Sequence, residues 1–254
     1  MTRVVTCDNI ISVKWVEFAQ SFREDVVAVF RIRISEVSKY SSYLYSLLQY
    51  SEIERAKRYH KEEDRIRFLI ARASLRILLG KFISKNPSEI NFKLGENKKP
   101  ILTQKSAICF NTSHSGDLIL IAISRSEVGI DIEKANKKFP FRDILTHSFN
   151  QQEQDFIIDS TASCYSFFQT WTRKEALVKA TAQGIDANFS NMPSLDGRHE
   201  VAIEINGSTA EWTVSSFEAA PEYIAAIARP SALTASRLIF CDMGEELFKP
   251  FAEA

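Results

Sequence analysis

Leu118-Ile119-Leu120-Ile121-Ala122-Ile123 is an unbroken apolar run of six residues. It is too short to cross a bilayer, and it suits a strand buried on both faces. A strand of that kind is stable only between other layers of structure. Val26 to Ile34 predicts a second strand: Val26, Ala28, Phe30, Ile32 and Ile34 alternate with Val27, Val29, Arg31 and Arg33, so one face is wholly apolar. Glu52 to Phe82 holds no proline and no glycine before Gly80. Leu75, Leu78, Leu79 and Phe82 continue an apolar stripe there, which predicts one long helix or two with a break near His60.

The remaining pattern is mixed. Tyr40 to Gln49 reads as helical, and Ser51 with Glu54 has the spacing of a capping box. Ala107 to Ile123 reads as two strands around a turn at Asn111 to Asp117, and Val128 to Glu133 as another strand. Phe167 to Thr181 predicts a helix with Gly184 as its stop signal. Glu200 to Ile205, Glu211 to Ser216 and Tyr223 to Ala228 read as antiparallel strands, while residues 237–254 fit no single element. Strands and a prominent helix occur in both halves, so the expected fold class is α+β with two lobes, residues 1–125 and 126–254. Residues 1–125 carry 21 Lys and Arg against 13 Asp and Glu, and residues 126–254 carry 11 against 19. One half is suited to attract an anion and the other to supply carboxylates, although unevenly spread surface charge gives the same counts.

Several classes are disfavoured. No apolar stretch reaches the roughly 18 residues of a membrane span. The first eight residues are too polar for a secretory signal, so a cytoplasmic protein is expected. Cys7, Cys109, Cys164 and Cys241 are far apart, which argues against zinc and disulfides and for small buried hydrophobes.

Four segments carry chemistry. In Val128-Gly129-Ile130-Asp131-Ile132-Glu133 a strand turns Ile130 and Ile132 to one face and Asp131 and Glu133 to the other. Paired carboxylates repel unless a cation intervenes, and magnesium suits such hard oxygen ligands. Gly129 would leave room for a ligand beside them. A solvated polar strand face gives the same pattern. In Trp171-Thr172-Arg173-Lys174-Glu175-Ala176-Leu177-Val178-Lys179, a helix stacks Trp171, Glu175 and Lys179 in one column, which equally describes a core tryptophan beside an ordinary Glu–Lys pair. Phe110-Asn111-Thr112-Ser113-His114-Ser115 offers hydroxyls and an imidazole to a phosphate, or forms a polar turn. Arg55, Lys57, Arg58, Lys61, Arg65, Arg67, Arg72 and Arg76 form a basic stretch, suited to phosphates or to a solvated helix face.

Together and in this order, the segments resemble the Sfp-type 4′-phosphopantetheinyl transferase family. Its signature is roughly (I/V)-G-(I/V)-D, about forty residues, then (F/W)-(S/C/T)-x-K-E-(A/S)-x-x-K. Val128-Gly129-Ile130-Asp131 and Trp171 to Lys179 match the two parts, Phe110 to Ser115 matches an F-N-x-S-H-S element, and Tyr59-His60-Lys61-Glu62 and Arg67 to Arg76 resemble the N-terminal helical region. The resemblance spans about residues 55 to 185. It implies two similar α+β lobes in a pseudo-dimer, with coenzyme A between them. It also implies transfer of phosphopantetheine to a serine of an acyl, polyketide or peptidyl carrier protein, releasing adenosine 3′,5′-bisphosphate, in a monomer that needs no nucleic acid or membrane. By motif position Asp131, Glu133 and Glu175 are the expected Mg2+ ligands, and Glu175 is also the candidate general base. Lys174 and Lys179 are expected to offset phosphate charge. Ser113, His114 and Arg67 are expected at the nucleotide end, with Arg65 the alternative to Arg67 one register away, and Lys99 is expected to bind coenzyme A as the lysine of a G-K-P element. The chain departs from the pattern at Lys98, which replaces the glycine of a G-K-P element, and at Ser51-Glu52-Ile53-Glu54, where some members are basic.

Two other functions compete. A metal-dependent phosphodiesterase also combines carboxylates with lysine, but its usual acidic–spacer–Lys strand is absent: Glu133-Lys134 has no spacer and Glu175 to Lys179 has three. A non-enzymatic module that binds coenzyme A or a carrier needs the basic surface and no carboxylate trio.

Overall fold

The computed structural model describes residues 2–18, 26–95, 97, 99–183, 189–202, 210–233 and 237–251. Lys98, Gly184 and the end of the expected strand Glu200–Ile205 lie outside them. The chain opens with strands β1 (Thr2–Asn9), β2 (Trp15–Glu17) and β3 (Val26–Arg33). Short turns α1 (Ile34–Val37) and α2 (Ser41–Leu44) lead to helices α3 (Tyr50–Lys57) and α4 (Glu62–Ile83). A hairpin of β4 (Phe92–Leu94) and β5 (Pro100–Leu102) precedes β6 (Cys109–Ser115), β7 (Leu118–Ser124) and β8 (Gly129–Lys134). The second half adds α5 (Leu145–Ser148), α6 (Gln151–Asp159), α7 (Ser163–Thr181), β9 (Gly197–Ala202), β10 (Trp212–Ala220), β11 (Tyr223–Pro230) and β12 (Arg237–Asp242).

The expected α+β class is correct, and the strands form two five-stranded sheets. One has the order β2-β12-β3-β7-β6, the other β8-β11-β10-β1-β9. Each draws one inner strand from the far end of the chain. β1 pairs parallel with β10, and β12 pairs parallel with β3. The expected boundary at 125/126 falls between β7 and β8.

The sheets stack face to face. Alternation along β7 sends Leu118, Leu120 and Ala122 against Ile130, Ile132, Ala225 and Ile227 of the other sheet. Ile119, Ile121 and Ile123 point the opposite way, into the core beneath α4. The apolar run is therefore buried on both faces, as its composition predicts. On the outer face of the second sheet, Ala176, Leu177 and Ala180 of α7 pack on Val5, Val214 and Ala226. The result is four layers: helix, sheet, sheet, helix.

Local details differ from the sequence reading for identifiable reasons. The break near His60 is real, since α3 ends at Lys57 and α4 begins at Glu62. The capping box is formed by Gln49 and Glu52, not Ser51 and Glu54. Glu52 is recruited because Arg76, fully buried, pairs with it at 2.7 Å. Arg72 also pairs with Glu52, at 3.3 Å. These two arginines thus fasten α4 to α3 rather than lining a ligand surface. Asn111 to Ser115 do not break the strand; β6 runs to Ser115, and the turn is confined to Gly116 and Asp117.

Candidate functional site at the junction of the two sheets

β6 and β8 are edge strands of different sheets lying side by side. Side chains, rather than a backbone ladder, join them. Ile130 N–H donates to Asn111 Oδ1 at 2.9 Å, and Lys134 N–H to Ser115 Oγ at 3.0 Å. Two N–H groups on the open edge of β8 are thereby paired. The same strand alternation presents Ser113 and Ser115 to the carboxylates. Ser113 Oγ donates to Asp131 Oδ1 and Ser115 Oγ to Glu133 Oε2, each at 2.8 Å. The polar character of Phe110 to Ser115 therefore comes from lacing two sheets and orienting two acids. Motif reading alone misses the roles of Asn111 and Ser115; their every-other-residue spacing with Ser113 is the signal that could have found them.

Gly129, Asp131 and Glu133 face α7, while Ile130 and Ile132 enter the core between the sheets. Gly129 does not leave space for a ligand. A Cβ there would sit 2.0 Å from Ala176 O and 2.4 Å from Ala180 N, so the missing side chain is what lets α7 lie directly on β8. That close approach brings Glu175 and Lys179 to the carboxylates. Gly129→Ala is expected to cost about 3 kcal/mol through overpacking, read as a lower urea midpoint. An unchanged midpoint would mean that α7 shifts freely.

Lys179 Nζ donates to Asp131 Oδ1 at 2.6 Å and to Ser113 Oγ at 3.3 Å. Asp131 is 3% exposed, and its Oδ2 is buried with no hydrogen-bond partner. Burial pushes the Glu175 carboxyl up to about 7; Lys179 opposes this, while Asp131 and Glu133 add to it. Glu133 is also raised by burial, against the hydrogen bond from Ser115. Glu175 and Lys179, with Lys99, Phe110 and Thr112, line a cleft of about 230 Å³.

The opposite side of α7 is structural. Lys174 is fully buried, its ammonium 2.7 Å from Glu153 Oε2 and 3.0 Å from Ser190 O. Glu153 completes the capping box of α6 with Asn150 and accepts from Ser194 Oγ at 2.6 Å. Burial lowers the Lys174 pKa despite this pairing. The structure thus corrects the expectation that Lys174 offsets phosphate charge in the cleft: one residue from Glu175 is about 100° around the helix, so the ammonium points elsewhere. Arg173 is likewise buried, bonded to Ser216 Oγ at 2.7 Å and Ser194 O at 2.6 Å. Trp171 packs among Phe149, Phe167 and Phe189, an aromatic core contact rather than a wall of the cleft.

Of the other residues expected to bind coenzyme A, Lys99 lines this cleft, whereas Ser113, His114 and Arg67 are not among its lining residues. Lys99 Nζ donates to Glu127 Oε2 at 3.0 Å and to Ala180 O at 3.3 Å. Asn97 Nδ2 donates to Ala182 O at 2.7 Å, so the hairpin loop is pinned to the C-terminal end of α7. His114 is exposed along β6, yet surrounding protein and then the Arg67 guanidinium hold its pKa below the usual value. Arg67 pairs with Asp64 at 2.9 Å, and its Nε is buried without a partner. Arg65 instead pairs with Glu62 at the surface of α4. Arg67 is therefore the arginine whose charge is felt by His114.

The donor set fits a hard divalent cation: three carboxylates from β8 and α7, and a buried, unpartnered Asp131 Oδ2. Among the described residues, no three His, Cys, Asp or Glu side chains already converge into a metal cage.

Comparison with known proteins gives a consistent result. Residues 127–228 match the profile of the 4′-phosphopantetheinyl transferase superfamily, and residues 36–126 match a 4′-phosphopantetheinyl transferase N-terminal profile. A Synechocystis sp. protein provisionally named a 4′-phosphopantetheinyl transferase is 31% identical over 67% of this chain and 72% of its own length. The 4′-phosphopantetheinyl transferase HetI of Nostoc sp. is 31% identical over 63% and 70%. The 4′-phosphopantetheinyl transferase Sfp of Bacillus subtilis is 27% identical over 68% and 78%.

Proposed function

This chain belongs to the 4′-phosphopantetheinyl transferase superfamily, and from that premise we propose a specific use for the cleft between its sheets. The protein is a transferase that moves 4′-phosphopantetheine from coenzyme A to a serine of a carrier protein. Bond formation between the serine oxygen and the β-phosphorus accompanies cleavage of the phosphoanhydride bond, and adenosine 3′,5′-bisphosphate leaves. The observation that carries the site assignment is the junction itself: Asp131 and Glu133 on an edge strand, directly under Glu175 and Lys179.

Asp131, Glu133 and Glu175 would hold Mg2+. When bound, the ion would neutralise charge on the transferring phosphoryl group. Lys179 and Lys99 bind the pyrophosphate from two walls of the cleft, and Ser113 orients Asp131. His114 and Arg67 receive the 3′-phosphate. Glu175 is the candidate acceptor for the serine proton; burial supports this by making its carboxylate more basic than a free glutamate. Lys174 has no part in the chemistry and holds α7 in place.

Both walls of the cleft come from a single chain, which supports action as a monomer. No described helix is long and apolar enough to cross a membrane. We place the reaction in the cytoplasm, with the carrier as the only macromolecular substrate and no role for nucleic acid or membrane.

Incubation of an apo-carrier with coenzyme A, Mg2+ and this protein is expected to add one phosphopantetheine mass to the carrier serine, read by intact mass spectrometry. No mass change across acyl, polyketide and peptidyl carriers would overturn the reading.

A further inference from the structure

We propose that Lys179 is a placeholder cation: without coenzyme A its ammonium occupies the Asp131 carboxylate, and the pyrophosphate of coenzyme A draws it away, coupling metal binding to coenzyme A binding. The inference rests on the reading of Asp131, Glu133 and Glu175 as metal ligands. Two observations support it. The ammonium sits on Asp131 Oδ1 at 2.6 Å, with Ser113 Oγ bridging the two groups. Asp131 Oδ2 remains buried and unpartnered, so the ion pair satisfies only part of the carboxylate.

An ammonium and a divalent ion repel strongly at such separations, so they cannot both lie against one carboxylate oxygen without a large penalty. The lysine has somewhere else to go. Its side chain is 29% exposed against 5% for Asp131, and it lines the cleft on a flexible four-carbon stem. A pyrophosphate in the cleft offers the ammonium a new anionic partner and frees Asp131 Oδ1. Lys99 lines the same cleft but is bonded to Glu127 and Ala180 O rather than to Asp131. By linkage, whatever factor coenzyme A contributes to metal affinity, the metal returns to coenzyme A affinity.

The test measures Mn2+ binding to the full chain without coenzyme A, by titration calorimetry and by the electron paramagnetic resonance of free Mn2+. Lys179→Met is expected to bind Mn2+ about tenfold more tightly than the parent, because the competing cation is gone, and to bind coenzyme A more weakly. Lys179→Arg keeps the charge and is expected to bind Mn2+ no better than the parent. Lys99→Met removes a nearby cation that does not touch Asp131 and is expected to leave Mn2+ affinity unchanged. Equal or weaker Mn2+ binding by Lys179→Met overturns the proposal. So does an equal gain in Lys99→Met, which would mark a general field rather than a placeholder. Asp131→Asn, combined with Lys179→Met, separates the premise: if it binds Mn2+ as tightly as Lys179→Met alone, the metal-site reading itself fails. Thermal melts of each variant establish that the fold is retained.

Discussion

Asp131→Asn is expected to lower carrier loading by about a thousandfold while leaving the protein folded. The substitution changes one oxygen for an amide and keeps the shape. The introduced asparagine would still accept from Ser113 Oγ through its remaining oxygen, and Lys179 has a path to solvent. The stability loss should therefore stay near about 1 kcal/mol, the range of a single hydrogen bond. What disappears is a buried negative charge whose second oxygen has no partner in the protein. Rate constants under saturating coenzyme A and carrier, together with a urea melt, check both halves. Near-normal loading with an intact fold would remove Asp131 from the metal site. Loss of loading together with loss of fold would assign it to the scaffold.

The largest effect on stability is expected at Lys174. Lys174→Met should cost about 3–5 kcal/mol, because it strands a buried carboxylate whose counter-charge lies 2.7 Å away. That is a large share of the roughly 5–15 kcal/mol typical of a folded domain. Adding Glu153→Gln should recover more than half of the loss: glutamine carries no charge yet can still accept at the start of α6. Denaturation midpoints of the two single variants and the double variant form a cycle that isolates the pair. If Lys174→Met melts like the parent but fails to load the carrier, Lys174 has a direct catalytic role and its structural assignment is wrong.

Periodicity exposes much of this architecture, and its failures have physical causes. Alternation along β8 separates Ile130 and Ile132 from Asp131 and Glu133 without any structure, because a strand has only two faces. Helical spacing likewise aligns Glu175 with Lys179. The same spacing places Trp171 in that column, but not among its aromatic neighbours Phe149 and Phe189, which come from the α5–α6 junction and the segment before β9. Gly129 shows the limit most clearly. A sequence reveals that a side chain is missing, not whether ligand or protein fills the vacancy, and here the backbone of α7 fills it. Lys174 misleads because a short motif reads as one functional unit, although consecutive residues on a helix point about 100° apart. The capping box forms at Gln49 because Arg76, twenty-four residues beyond Glu52, fixes the glutamate. The pairings of β1 and β12 are illegible for a similar reason: their partners lie some two hundred residues away.

Those two terminal strands have a consequence for how the protein is made. β1 is an inner strand of the sheet completed by β9, β10 and β11, and β12 is an inner strand of the sheet begun by β2 and β3. The first sheet to emerge from the ribosome must wait with a gap between β2 and β3 until β12 is synthesised. Meanwhile β1 must remain available for partners not yet translated. Neither half can close alone, so folding is dominated by distant contacts, which makes it slow and exposes unpaired edges to aggregation. Removing the chain after residue 236 would therefore damage the early half of the molecule rather than trim the late one.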